Sequence, residues 1–345
     1  MTPFSRGKLR WAPDVDSVAM IQPAETVQTG HPRVDVVVVS WNTRDDLVAC
    51  LDAVAGSSGV SCATVVVDND SLDGSPGAVA AEHPDVRLIR NRSNVGFARA
   101  VNQGLRAGAA PWVLLLNPDA LVQPDTVAAL VARLDALPDH AAIAPRLLGA
   151  DGRAQHSVYP YPSLWLSLLL GLSLQRLLPR RLRARLLLEG DWDSDVERDV
   201  PWAIGACLLL RRSVVDELGG LDERFFVYAE DLEWCHRVAR AGHPIRFTPA
   251  VSVVHAGNRS GQQRYGDDRT AAWLANTMRF VRAAHGPLWS AAYVAVNGTA
   301  TVSRWAATTA LLRVRPSDAR RRRERLWRAH ARYYLGRAPR RDEGQ

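Results

Sequence analysis

Four short apolar runs, Val34–Val39, Thr64–Val67, Val86–Ile89 and Trp112–Leu116, follow one another early in the chain and limit its fold more than any other feature. They are β-branched or aliphatic almost throughout instead of alternating with polar residues, which is the pattern of strands covered on both faces. Between and after them lie stretches of helical character, Arg44–Ala55, Pro76–Glu82, Phe97–Ala107 and Pro124–Leu137. The first is entered through Thr43 with Asp46 three residues on, a pair related to a capping box. This alternation specifies an α/β fold on a mainly parallel sheet flanked by helices. A second region continues it: Ala203–Leu210 reads as a strand, Ser213–Leu218 as a short helix stopped by Gly219 and Gly220, and Asp231–Ala241 as a helix closed by Gly242. Ile245–His255 follows as strand material interrupted by Pro249.

At 345 residues, 47% hydrophobic and 23% charged, the chain can bury a core and has room for about two units at roughly 150 residues each. Cys50, Cys62, Cys207 and Cys235 form no C-x-x-C pair, which argues against a zinc site and for a reduced, cytoplasmic setting. Lys8 is the only lysine, so 42 of the 43 basic residues are arginine. Twelve of these fall in residues 313–345 against four acids, a balance of +8; with a net charge of +7, the rest of the chain is near −1. A basic tail on a near-neutral body favours an anionic surface as partner. Residues 1–32 are polar and without period, and read as a flexible leader; neither a signal peptide nor a spanning helix is expected. Leu164–Leu188 begins rich in Leu and Trp and ends with Arg176, Arg180, Arg181, Arg183 and Arg185, which suits either a helix lying in a lipid interface or a docked surface helix. Residues 287–312 are apolar but for Asn297 and Arg304, and the basic tail comes next. That order favours an anionic membrane surface over nucleic acid.

The first three strands end in polar residues: Ser40-Trp41-Asn42, then Asp68-Asn69-Asp70, then Asn91 to Asn94 leading into Gly96. In an open α/β sheet ligands bind outside the carboxyl ends of the strands, so Ser40, Asn42, Asp68, Asp70, Asn94 and Gly96 form a candidate nucleotide row. Asp68 could accept from a pyrimidine N3–H, and Asp70 could reach a base or ribose; singly, each also suits an ordinary Asx turn. No G-x-G-x-x-G follows the first strand and no G-x-x-x-x-G-K-[ST] occurs, which argues against a dinucleotide dehydrogenase and a P-loop NTPase. The fourth strand runs into Asn117-Pro118-Asp119, a carboxylate on a stiffened turn. Such an oxygen ligand suits Mg²⁺ or Mn²⁺ with room left for phosphate oxygens, and Asn-Pro-Asp is also a common turn.

These segments, with Val66–Ser75, Asn94–Gly104, Leu115–Ala120, Trp202–Gly205, Gly219–Phe226 and Glu230–Glu233, resemble in order and spacing the signatures of family 2 glycosyltransferases with the GT-A fold. The resemblance covers about residues 34–260 and is strongest to the rhamnosyltransferase branch of bacterial polysaccharide and cell-wall synthesis. It implies a Rossmann-like sheet and an inverting transfer from a nucleotide-diphosphate sugar, dTDP-rhamnose being favoured. The acceptor it implies is a glycan or a polyprenyl-diphosphate-linked sugar at the inner face of the cell membrane. By the same resemblance Asp119 corresponds to the metal- and diphosphate-binding acid, with Asn117 at the position of the first acid of a D-x-D motif. Asn102 joins the nucleotide-sugar contacts and Trp41 stands where Tyr is more usual. Asp231 corresponds to the catalytic base, and His255, 24 residues later, to a histidine completing the metal site. Trp202, Gly205 and Glu230 would frame the acceptor. On the residues alone, Asp231 equally suits helix capping and His255 a hydrogen-bonded strand end.

The expected layout is a leader over 1–32 and a GT-A domain over 33–260, followed by a helical Arg-rich extension over 261–345. Within the domain, 33–145 forms the nucleotide-sugar half, 156–199 an amphipathic insertion and 200–260 the acceptor half. A galactofuranosyl- or other hexosyltransferase keeps the same fold. A nucleotidyltransferase would need a Gly-rich basic loop where Ser40-Trp41-Asn42-Thr43 stands, and a non-catalytic sugar-nucleotide binder would have no use for Asp231.

Overall fold

The computed structural model describes residues 31–179, 182–183, 194–257 and 269–336. The leader lies outside these residues but for its last two positions, as do Arg180, Arg181, Arg185 and the last nine residues of the basic tail. In chain order the first half comprises β1 (Arg33–Ser40), α1 (Arg44–Ala55), β2 (Ser61–Asp68), α2 (Ser75–Glu82), β3 (Arg87–Arg90), α3 (Phe97–Ala107) and β4 (Trp112–Leu116). Then come β5 (Ala120–Leu121), α4 (Thr126–Asp135), β6 (Ala142–Leu148), β7 (Val158–Tyr159) and α5 (Leu164–Gly171), the last followed by a 3₁₀ turn at Leu174–Leu177. The second half holds β8 (Arg198–Val200), β9 (Trp202–Ala203), β10 (Cys207–Arg211), α6 (Arg212–Leu218), α7 (Glu230–Arg240) and β11 (Ile245–His255). Helices α8 (Arg269–His285), α9 (Pro287–Val314) and α10 (Asp318–Tyr334) close the described chain.

Among the described residues nine strands form one sheet, in the order β3-β2-β1-β4-β10-β6-β11-β5, with β8 also on β11. Strands β3, β2, β1 and β4 are parallel, as is the pair β6 and β11. Strand β10 enters antiparallel between β4 and β6 and joins the two parallel blocks. Both faces are covered, which is why the strands read as unbroken apolar runs. Val37, Val39, Val113 and Leu115 face one core with Ala98, Val101 and Leu105 of α3. Val34, Val36, Val38, Leu114 and Leu116 face the other, with Leu47 and Leu51 of α1 and Leu130 and Leu134 of α4. Helix α3 comes so close to β1 that a Cβ on Gly104 would collide with Val37 Cγ1.

Two expectations are corrected. Thr43 makes no side-chain cap to α1; its hydroxyl bonds instead to Ser40 Oγ at 3.1 Å, inside the loop that follows β1. The stretch Ala203–Leu210 is not one strand: it breaks at Ile204–Ala206, where the backbone turns to partners outside the sheet. Strand β9 pairs with β7, a strand of the 156–199 stretch, and β8 of that stretch pairs with β11.

The C-terminal helices are fastened to the sheet domain. Asn276 Nδ2 on α8 donates to Val227 O at 2.7 Å, just ahead of α7. Helix α9 holds α5 through Asn297 Nδ2 to Ser167 Oγ at 2.9 Å, and holds α10 through Trp305 Nε1 to Glu324 Oε1 at 2.9 Å. No helix among the described residues is long and apolar enough to cross a membrane.

One buried ion pair locks the two halves. Arg212, the first residue of α6, reaches Asp35 on β1 at 2.7 Å, and both side chains are almost wholly buried. Asp35 also accepts from Ala110 N at 2.8 Å, while Arg212 donates to Leu105 O and Ala110 O. Removing one member of such a pair strands the other charge, so Arg212→Met is expected to lower unfolding stability by about 3–5 kcal/mol. Arg224→Met, which breaks an exposed pair with Asp222, should cost under about 1 kcal/mol. Urea denaturation of both variants checks the contrast.

Candidate active site

The carboxyl ends of β1 and β2 and the loop after β3 build one rim of the candidate site. Ser40 and Asp68 are register partners in adjacent parallel strands, so their side chains end the sheet side by side. Beyond Ser40, Asn42 adopts a left-handed backbone (φ 52°); its N–H donates to Ser71 Oγ at 3.0 Å and its Oδ1 accepts from Leu72 N at 2.8 Å. Asp70 is also left-handed (φ 66°) and exposed. Asp68 Oδ2 accepts from Ser71 N at 3.1 Å, whereas its Oδ1 is buried with no partner among the described residues. Burial pushes the Asp68 carboxyl above its ordinary value, against the opposing pull of the Ser71 hydrogen bonds.

The rest of the rim rests on Gly96. Its φ is +88°, and a Cβ there would lie 2.6 Å from Phe226 O. Asn94 Oδ1 accepts from Gly96 N at 3.0 Å, Asn69 Nδ2 donates to Gly96 O at 3.2 Å, and Phe97 N donates to Phe226 O at 2.6 Å. The rim of the first half is thereby stitched to the loop that leads into α7. Asn102 stands apart from the rim residues. It is buried on α3, where it donates to Leu221 O at 2.8 Å and Glu223 Oε1 at 2.9 Å and accepts from Leu221 N at 2.9 Å. Its side chain is spent on holding the 221–223 loop.

Asp119 and His255 meet because β5 pairs antiparallel with the last two residues of β11, setting Ala120 opposite His255. Ala256 N donates to Asp119 O at 2.9 Å and closes the junction. His255 Nε2 then lies 3.4 Å from Asp119 Oδ1 and 3.4 Å from Asn117 Nδ2. Burial pushes the Asp119 carboxyl up, but the bond and charge of His255, with backbone N–H groups, outweigh it and hold the group below its ordinary value. Asp119 Oδ2 is buried with no partner among the described residues. An orphaned buried oxygen beside an imidazole nitrogen is a donor set that fits Mn²⁺ or Mg²⁺. Among the described residues no group of three or more His, Cys, Asp or Glu converges here. Two protein ligands with the remaining positions left to phosphate oxygens and water is the usual arrangement for such ions.

In the second half, α7 opens after two left-handed non-glycine residues, Tyr228 (φ 70°) and Ala229 (φ 69°). Each such residue costs on the order of 1–2 kcal/mol, and the strain aims Glu230 and Asp231 off the helix start. Asp231 does not act as the helix cap; Ala229 occupies that position. Instead Asp231 Oδ2 accepts from Gly205 N at 3.2 Å and Oδ1 from Leu232 N at 2.8 Å. Burial raises its carboxyl to about 6 despite those two N–H donors. Neighbouring Glu230 is 4% exposed, with Oε2 unpartnered among the described residues. Burial and the Asp231 charge push it well above the usual carboxylate range. Trp202 is buried, stacks on Tyr159 with centroids 4.8 Å apart and donates to Pro160 O at 3.1 Å.

Gly205 and Ala206 tie the two sides together. Gly205 N holds Asp231, and the next residue's carbonyl, Ala206 O, accepts from Asn117 N at 2.9 Å. The helix-borne carboxylate and the Asn117–Asp119 turn are thus clamped to consecutive residues. Sequence reasoning missed Gln155, which grips His255 at two points, and the Asn69–Asn91–Gln103 amide network under the rim. Gln155 lies in no motif; its only local signal is the pair Gly149 and Gly152 that turns the chain back toward β6.

A family model described as "Glycosyl transferase family 2" matches residues 35–219, more than half of the chain. The chain belongs to glycosyl transferase family 2. This glycosyltransferase is 31% identical over 270 residues to the N-acetylglucosaminyl-diphospho-decaprenol L-rhamnosyltransferase of Mycobacterium tuberculosis, covering 74% of this chain and 86% of that relative. It is 23% identical to the rhamnosyltransferase WbbL of Escherichia coli over 55% of this chain and 69% of that protein. Among solved structures it resembles the mannosyltransferase PcManGT from Pyrobaculum calidifontis in complex with GDP-Man and Mn²⁺, with a TM-score of 0.58 and 22% identity over 90% of this chain and 88% of that one. The shared architecture is the GT-A fold, and in this enzyme helices α8 to α10 follow the sheet domain.

Proposed function

We propose that this glycosyltransferase inverts configuration while moving L-rhamnose from dTDP-rhamnose to a polyprenyl-diphosphate-linked or glycan acceptor. The observation that carries the reading is the pair of carboxylates on either side of the Gly205–Ala206 clamp, one tuned as a base and one as an ion ligand. Asp231 has a carboxyl raised to about 6, so near pH 7 it is ionised yet basic enough to take a proton. In the transfer it removes the acceptor hydroxyl proton as that oxygen attacks the anomeric carbon. The bond from that carbon to the diphosphate breaks on the opposite side, and the nucleoside diphosphate leaves. Asp119 and His255 would hold a divalent cation, which neutralises charge on the departing diphosphate. Asp68, with a buried free acceptor oxygen, would accept the thymine N3–H, and Ser40, Asn42, Asp70, Asn94 and Gly96 would line the nucleotide. Asn117 would add a neutral oxygen or amide contact to the diphosphate. Glu230, Gly205 and the loop before β10 would frame the acceptor, with Trp202 supporting that loop from beneath.

The L-rhamnose assignment draws on the name of the mycobacterial relative, a protein acting on a decaprenyl-diphosphate-linked N-acetylglucosamine. A membrane-borne acceptor of that class calls for an enzyme at the cytoplasmic membrane face. Trp165, Leu168, Leu172 and Leu177 on α5 and its 3₁₀ turn are exposed, Leu177 by 79%, beside Arg176. Arg304 lies near enough for Arg176 to oppose its charge, and Arg321, Arg322 and Arg323 are exposed on α10. Exposed apolar side chains set among arginines suit an anionic bilayer surface.

Three outcomes follow. Transfer rate should fall as pH drops through about 6 because Asp231 becomes protonated, with a plateau above. Asp231→Asn should lose about 10²–10⁴-fold in kcat with donor affinity kept, by radiolabelled transfer assay and calorimetry; near-normal turnover contradicts the base role. The full chain should sediment with vesicles containing anionic lipid at low salt and be released at about 1 M salt. Equal binding to neutral vesicles, or none to either, removes the membrane part.

A further inference from the structure

Just after β6 the chain folds back on itself. Gly149 N donates to Arg153 O at 2.8 Å and Gly152 N to Gly149 O at 2.9 Å, with Gly152 left-handed at φ +73°. Leu148 bridges antiparallel to Ala154, and Gln155 N donates to Leu147 O at 2.8 Å. Leu148 is the register partner of Val254 on β11, so the returning strand delivers Gln155 beside the end of β11. Its backbone is fixed before its side chain meets His255.

The side chain makes two contacts to the same residue. Gln155 Nε2 donates to His255 O at 2.6 Å, and Gln155 Oε1 lies 2.9 Å from His255 Nδ1. A backbone carbonyl only accepts, so the amide atom facing it must be the NH₂ group. The atom facing Nδ1 is therefore the amide oxygen, which also only accepts, and Nδ1 must carry a hydrogen. In the charged ring Nε2–H faces Asp119 Oδ1 at 3.4 Å; in the neutral ring the lone pair is then on Nε2, the nitrogen that also lies 3.4 Å from Asn117 Nδ2.

We propose that Gln155 is a positioning residue: its amide fixes His255 as the Nδ1–H tautomer and turns the Nε2 lone pair toward Asp119, preforming the nitrogen half of the cation site. The proposal rests on the metal reading of Asp119 and His255. A histidine ligand whose other N–H is held by an outer acceptor keeps its orientation and gains basicity, and losing that partner commonly costs about 10–100-fold in metal affinity. Here the acceptor is a neutral amide whose own orientation is fixed by the main chain of the residue it serves.

The test is Mn²⁺ titration of the full chain by electron paramagnetic resonance, in the presence of dTDP, for wild type, Gln155→Met, Gln155→Glu and His255→Ala. Gln155→Met fills similar space without either hydrogen bond and should weaken Mn²⁺ binding by about ten-fold or more. Gln155→Glu keeps an acceptor for Nδ1–H and should stay nearer to wild type. Unchanged Mn²⁺ affinity in Gln155→Met, with His255→Ala weakened, overturns the proposal and leaves the metal reading standing; unchanged affinity in His255→Ala overturns both. Should Gln155→Met fail to fold, the wild-type protein still decides. Long-range proton–nitrogen correlation of its histidine rings should show His255 as the Nδ1–H tautomer in the metal-free neutral form, and the Nε2–H tautomer there overturns the proposal.

Discussion

The site depends on a break in a strand. Where Trp202–Arg211 could have run on as one continuous strand, Ile204–Ala206 leave the ladder, and Gly205 N and Ala206 O turn to Asp231 and Asn117. Backbone atoms of two consecutive residues thereby fix a helix-borne carboxylate and a strand-end turn relative to one another. A side chain could rotate away from either partner, whereas a backbone clamp anchored by β10 cannot. The same strand, antiparallel between β4 and β6, joins the two parallel blocks of the sheet, so the clamp sits where the fold changes direction.

Around that point the fold supplies rigidity from several directions. The β5–β11 pairing brings Asp119 to His255, the Asp35–Arg212 pair pins α6 to β1, and Gly96 admits Phe226 O against the rim. Strained Tyr228 and Ala229 turn the start of α7 toward the clamp. Backbone strain at a carboxylate pair, with both carboxyls raised by burial, is the mark of a site whose surroundings over-determine it.

Much of this was legible in the sequence. Strands β1 to β4 stand out because burial on both faces leaves few polar residues, Asp35 and Arg87 among them, to blur the runs, and α1 and α3 are placed to the residue. The row Ser40, Asn42, Asp68 and Asp70 and the Asn117–Asp119 turn follow from the rule that open sheets bind ligands at their carboxyl ends. The break at Ile204–Ala206 was not readable, because apolar residues continue through it and only partners distant in sequence end the strand. Thr43 looked like a cap because its spacing to Asp46 is right, but a nearer hydroxyl, that of Ser40, claimed it. Gln155 carries no motif at all: its importance comes from a tight turn and a parallel register that set it beside a residue 100 positions away.

On the proposed function, these strand ends would hold a nucleotide-diphosphate sugar together with a divalent cation. Calorimetric titration of the full chain with dTDP-rhamnose, UDP-galactose, UDP-N-acetylglucosamine and GDP-mannose, each with Mn²⁺ and with chelator, tests it most directly. dTDP-rhamnose is expected to bind most tightly and to lose about ten-fold or more in affinity, some 1.4 kcal/mol, when the metal is removed. Equal affinity with and without Mn²⁺, or no binding of any donor, would contradict it.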